Sequence, residues 1–175
     1  MQNVFVWIII VTALLLATLG FVGCASLGSK NTLPVVKNFD VGRFLGAWHE
    51  IARLPQRYER GLVRVTATYE LDGEKLKITN RGFRDDEEVV ATAVGCFAGR
   101  HDEGAFRISF FRPFYGDYRI LWLSPEYDQA IVSGGDHSSL WILSRTPKLP
   151  QEKLDVLVEQ AARWGFDVSK LEYPE

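Results

Sequence analysis

Residues 1–29 contain no Asp, Glu, Lys, Arg or His, and every charged side chain lies at Lys30 or beyond it. Such a stretch does not make the wetted surface of a globular fold, so it spans a membrane or is removed. Cysteine is scarce as well. Cys24 and Cys96 are the only two, too few for a disulfide scaffold, so the domain must be held by its core. A one-sided charge is also missing. Lys and Arg number 20 against 22 Asp and Glu, a net of −2 with the signs interspersed, which argues against a nucleic-acid partner. His49, His101 and His137 lie far apart without ligand spacing, so no metal site is expected. There is no Gly-x-Ser-x-Gly elbow and no Gly-rich phosphate loop. Asp136, His137 and Ser138 adjoin in one loop, but a triad needs its base held by a separate orienter. No catalytic residue and no cofactor are assigned.

What is present begins with an apolar run from Val4 to Val22. As a helix rising 1.5 Å per residue it would span roughly 28 Å, close to a bilayer core. The stretch "FVGCAS" (Phe21–Ser26) follows and resembles the lipobox of bacterial lipoproteins, on Val22 and Gly23 before Cys24. It departs from that pattern at Phe21, where Leu is usual, and in an n-region, "MQN", without Lys or Arg. The resemblance implies a signal peptide over residues 1–23 and a diacylglyceryl group on Cys24. Ala25, rather than Asp, then implies the outer membrane. The alternative is an uncleaved signal anchor with Cys24 an incidental thiol. Either way the rest of the chain is tethered outside the cytoplasmic membrane. Residues 24–34 read as the tether and 35–175 as one domain, large enough for a core of its own.

Beyond Val35 the pattern has a period of two. In "LVRVTATYEL" (Leu62–Leu71) Val63, Val65, Ala67 and Tyr69 share one face, and Arg64, Thr66, Thr68 and Glu70 the other. Asp72-Gly73 then marks a hairpin. Further strands are read at Lys75–Thr79, Val89–Ala98, Phe106–Phe111, Tyr118–Leu123, Gln129–Gly134 and Ser139–Arg145, with "RDDEE" and "RPFYGD" as loops. With the strand that opens at Trp48 there are eight. Short connections make neighbours antiparallel, and eight strands with one apolar face each suggest a closed barrel. "PQEKLDVLVEQAARWG" (Pro150–Gly165) carries Leu154, Leu157, Val158 and Ala161 on one stripe, which predicts a helix over about 150–164 that packs on the barrel wall. It has no good N-cap residue.

Eight strands and then a helix, with Gly46-x-Trp48 opening the first strand, resembles the lipocalin family. The segment "NFDVGRFLGAWHEIARLPQRYERGL" (Asn38–Leu62) is similar to the entry segment of the bacterial outer-membrane lipocalins and apolipoprotein D. In "SPEYDQAIV" Glu126-Tyr127 stands where the family has an Asp-Tyr turn. "LWILSRTP" places Arg145 at the arginine of the family's third motif. The resemblance spans Val35–Tyr173 and, with the lipobox, points to the bacterial lipoprotein branch. It implies an all-β fold with one C-terminal α-helix: an eight-stranded antiparallel up-and-down β-barrel behind a lipoprotein signal peptide. The implied role is that of a lipid-anchored protein on the periplasmic face of the outer membrane. It would bind and store or transport fatty acids, lysophospholipids or similar apolar ligands, serve envelope maintenance, and not act as an enzyme. Two other readings stay open, a lipid-modifying enzyme on this scaffold and a structural envelope lipoprotein.

The resemblance and the residue chemistry together assign barrel closure to Gly46, Trp48 and Arg145. Trp48 is large enough to plug one end, Arg145 can lie over its indole, and Gly46 lets the chain enter without a Cβ. Loops after odd-numbered strands then line the mouth, with Tyr58, Phe114 and Tyr115 at the entrance. Parity from Trp48 turns Glu50 and Ala52 inward. The candidate ligand-binding residues are Glu50, Ala67, Tyr69, Ile78, Asn80, Phe106, Phe110, Tyr118, Trp122 and Trp141. A one-residue bulge in any strand inverts its parity. Large aromatics among Ala and Gly suit a cavity for a fatty acyl chain or another elongated apolar molecule. Glu50 stands alone as an inward charge in the first strand. It either meets the ligand or is a satisfied buried carboxylate bonded to loop backbone. Cys96 points outward by parity, as an inert surface cysteine, a redox thiol or a homodimer contact.

Overall fold

Alternating apolar and polar side chains produce eight antiparallel strands that close on themselves. The computed structural model describes residues 33–174, so the expected signal peptide and Cys24 lie outside the described residues. The strands are β1 (Gly46–Arg53), β2 (Val63–Asp72), β3 (Lys75–Arg84), β4 (Glu87–Phe97), β5 (Ala105–Phe111), β6 (Phe114–Leu123), β7 (Gln129–Ser133) and β8 (Trp141–Ser144). Each pairs with its neighbours in sequence, and β8 returns to β1, so no edge is left open. Two hairpins are tighter than the loops read from sequence. Asp85 and Asp86, at φ 51° and 62°, form the whole β3–β4 turn. That geometry is the one a two-residue hairpin needs. Phe114, read as loop, already belongs to β6.

Two bulges decide which side chains face in. The pairing of β1 with β8 shifts between Glu50 and Ala52, and that of β6 with β7 shifts between Ile120 and Trp122. Ile51 and Ala52 therefore both face outward, and Arg53 turns in. Likewise Leu121 and Trp122 both face outward, while Ile120 and Leu123 join the interior. This corrects the inward assignments of Ala52 and Trp122. Simple parity fails there because each bulge adds one residue to the count.

The outward residues at the bulges make a seat for helix α2 (Gln151–Arg163). Leu154, Leu157 and Ala161 of the helix are buried with Ala52, Leu121, Ile131 and Ile142 of the wall. Leu33, read as tether, is buried in the same cluster. The helix begins without a side-chain cap, as its sequence suggested, and Pro150 O accepts from the N–H groups of Lys153 and Leu154. A 3₁₀ turn (Val168–Lys170) then leads to a tail that pairs with β1 through both backbone bonds between Arg53 and Glu172. The N–H of Arg64 donates to Pro174 O at 2.8 Å, so the tail fills the gap where β1 and β2 separate. Cys96, on the outward side of β4, is disulfide-bonded, which replaces the expectation of an inert surface thiol.

The closed end is built on a short helix, α1 (Val41–Phe44), capped by Asp40, whose side chain accepts from the N–H of Arg43. Sequence periodicity missed it because one turn carries no period. Trp48 is fully buried, its ring 4.8 Å from that of Phe44, and its indole N–H donates to Phe44 O at 2.8 Å. The guanidinium of Arg145 lies 4.0 Å from the Trp48 ring. Its N–H groups reach the carbonyls of Arg43, Phe44, Leu45, Ala47 and Tyr127 at 2.8 to 3.2 Å. Those at the end of α1 are the carbonyls a helix leaves without partners. Gly46 has φ 93°, and a Cβ there would meet the Arg145 guanidinium at 3.4 Å. The positions expected to close the barrel are therefore in contact. Arg145→Ala is expected to lower the unfolding free energy by about 2–4 kcal/mol, measured by urea denaturation. Arg145→Lys should recover little of it, because one ammonium does not span five carbonyls.

Candidate ligand site

Two tyrosines divide the interior. The hydroxyls of Tyr69 on β2 and Tyr118 on β6 meet at 2.6 Å inside the barrel. Burial raises the pKa of both phenols, so both stay protonated. On the closed side of this pair the space is filled by Phe39, Phe44, Trp48, Phe106 and Ile120. On the open side lies a cavity of about 80 Å³.

Its walls combine apolar and acceptor groups. Val65, Ala67, Ile78, Ile108, Val132 and Leu143 supply aliphatic surface, with Phe110 and Trp141 as aromatics. Asn80, Glu50 and Glu59 supply polarity. Of the residues expected from sequence, Glu50, Ala67, Tyr69, Ile78, Asn80, Phe110, Tyr118 and Trp141 line the cavity. Phe106 faces inward but sits in the filled base, its ring 4.8 Å from that of Phe97. Trp122 is on the outer wall, moved there by the β6 bulge.

Sequence reasoning missed a charged cluster at the mouth end of β1. Arg53 is 2% exposed and donates from Nη1 to Glu50 Oε1 at 2.8 Å. Its Nη2 serves the carbonyls of Glu59 and Leu62, and its Nε reaches Glu172 Oε2 at 3.1 Å. Glu59, from the loop after β1, lies 4.0 Å from Arg53 Nε and accepts from the Trp141 indole N–H at 3.0 Å. Glu50 is thus satisfied by an arginine three residues away, not by loop backbone, and still faces the cavity. No sequence signal marked Glu59, since parity does not extend into loops. Arg53 was hidden by the bulge.

Three carboxylates share one guanidinium, and the strain appears as proton affinity. Burial first, and then the neighbouring charge of Glu59, push Glu50 up to about 8 against the pull of Arg53. Burial also raises Glu59, opposed by the Trp141 hydrogen bond and Arg53. Asn80 Oδ1 is buried without a donor. Around the mouth, Tyr58, Phe111 and Phe114 are 76 to 80% exposed.

An eight-stranded barrel plugged at one end, hollow at the other and backed by one helix is a cup for a small ligand. The chain belongs to the lipocalin family: the model of the lipocalin-like domain matches residues 39–175. It is 45% identical over 152 residues to the outer membrane lipoprotein Blc of Escherichia coli K12, covering 85% of this chain and 86% of that protein. It is 33% identical to temperature-induced lipocalin-1 of Arabidopsis thaliana, covering 81% and 82%. Among solved structures, insecticyanin from Manduca sexta superposes with a TM-score of 0.67 at 23% identity, covering 85% of this chain and 86% of that one. That likeness concerns the fold.

The raised Glu50 predicts a pH dependence of stability. The folded state holds this proton more tightly than the unfolded chain, whose Glu titrates near 4.5. The stabilising share is therefore complete below about pH 4.5 and is lost as pH rises through about 8. Urea unfolding at a series of pH values should show stability declining across that window, and Glu50→Gln should flatten the decline.

Proposed function

We propose that the chain is a lipid-anchored lipocalin of the periplasmic face of an outer membrane. It takes up single-chain amphiphiles, namely fatty acids or lysophospholipids, for storage or transport in envelope maintenance. One observation carries the ligand reading: the cavity is apolar toward its tyrosine floor and polar at its mouth. An acyl chain fits with its tail down and its head beside Glu59. At about 80 Å³ the cavity is narrow beside the ~300–1,000 Å³ of drug-sized pockets. It therefore suits a slim chain, the remainder of which lies across the exposed Phe111 and Phe114.

The anchoring reading rests on the lipobox-like stretch at Cys24 and on the name of the Escherichia coli relative, an outer membrane lipoprotein. No helix among the described residues is long and apolar enough to cross a membrane. Acylation makes a thioether at the Cys24 sulfur, so in the acylated protein the disulfide at Cys96 joins two copies of the chain. We read the cavity as a binding site and not a catalytic one, because the Glu50 carboxylate is held by Arg53. An enzyme would show pH-dependent turnover of a lipid ester that Glu50→Gln abolishes.

The test is native mass spectrometry of the protein taken from its own membrane, with lipid extraction and with and without reductant. The expected result is a chain beginning at acylated Cys24 that carries one non-covalent lipid, as monomer or homodimer. A protein with no lipid, and none taken up when offered, would sink the binding reading. In the same assay Ala67→Trp, which fills the cavity, should abolish uptake and leave the fold intact by circular dichroism.

A further inference from the structure

The cavity presents two carboxyl groups at its mouth. Glu50 and Glu59 both face it, one from β1 and one from the loop after β1.

The neighbouring cation does not offset this. Arg53 directs Nη1 to Glu50, Nη2 to two backbone carbonyls and Nε to Glu172. Its donors are spent inside the protein wall, and it does not itself line the cavity. The Trp141 N–H is likewise taken, by Glu59, which fixes that carboxylate and leaves the indole against the cavity. A ligand head therefore meets two carboxyl groups and an aromatic ring. This is the surface that suits a positive charge.

We propose that the mouth of the cavity selects amphiphiles whose head carries an ammonium group, and disfavours a free carboxylate head. The ammonium sits between Glu59 and Glu50 and over Trp141. This deepens the lipid-binding reading and rests on it. Of the ligand heads named there, the free carboxylate of a fatty acid is the one it disfavours.

Binding of a cation is linked to the proton on Glu50. The groups that face this carboxyl are Arg53 from its own strand, Glu59 from the adjoining loop and Glu172 from the C-terminal tail, with Tyr69 and Tyr118 at the floor. With three carboxylates to one guanidinium, an incoming ammonium favours the ionised form of Glu50 and releases its proton. Affinity for a cationic head then climbs as pH rises toward about 8 and levels off above it. Affinity for a carboxylate head falls over the same range.

The experiment compares three twelve-carbon probes by titration calorimetry below their micelle concentrations: dodecyltrimethylammonium, dodecanoate and the neutral monododecanoyl glycerol. The expected result is at least about tenfold tighter binding of the cation than of the carboxylate at pH near 8, a gap that narrows at pH near 6. Glu59→Gln and Glu50→Gln should each shrink the preference and leave the neutral ester unchanged. Dodecanoate binding as tightly as the cation, or a preference that survives both substitutions, would overturn the proposal and leave the lipid-binding reading standing. Failure of all three probes to bind would overturn both. The wild-type comparison and its pH dependence need no variant, so a misfolded Gln variant does not spare the proposal.

Discussion

One guanidinium organises the closed end of the barrel. The chain crosses beneath the strands as helix α1, whose last carbonyls have no partners of their own, and burying such groups unpaired costs about 1–3 kcal/mol each. Arg145 arrives from the end of β8 and satisfies them while stacking on Trp48. Because Arg145 links the last strand to the segment before the first, it also fixes how β8 meets β1. The position of Trp48 sets the register of β1, and with it the inward direction of Glu50. Chemistry at the mouth is therefore anchored by an interaction at the opposite end.

A second arginine does the corresponding work at the open end, with a different partner set. Arg145 collects neutral carbonyls, whereas Arg53 collects carboxylates. A buried ion pair brings little net stability once its desolvation is counted, and here the negative partners outnumber the positive one. At the base a cation rests on carbonyl dipoles and an indole face. At the mouth anions outnumber the cation, and that is the part left hollow. Such an imbalance is tolerated where something other than the fold makes use of it.

The legible part of the fold was its alternation. Past the register shift near Val63, which leaves that residue exposed, β2 and β3 keep a period of two, so Ala67, Tyr69, Ile78 and Asn80 face the cavity as the sequence indicated. Trp48, Gly46 and Arg145 were recognisable from their spacing and family resemblance. What escaped was non-periodic. Helix α1 is a single turn. The bulges in β1 and β6 add one residue each, which exchanged Ala52 for Arg53 and expelled Trp122. Glu59 lies in a loop, where neither period nor parity applies. Phe106 faced the right way but at the wrong depth, because a strand pattern gives the face of a residue and not its height in the barrel. Of the charged groups at the site, Glu50 was foreseen, and Arg53 and Glu59 were not.

The two bulges also divide the wall into unlike halves. They stand on β1 and β6, at the two margins of the seat on which α2 lies, with β7 and β8 between them. That arc has two layers of packed side chains. The arc from β2 to β5 has one layer, and its outer surface is polar and wet, with Lys75, Lys77, Arg81 and Glu88 exposed. The single arc relies instead on its ladders, two of which are the longest in the barrel: eight residue pairs between β2 and β3 and nine between β3 and β4, against four between β7 and β8. Glu50 and Arg53 stand on the thick arc, where a second layer of side chains backs the strand that carries them.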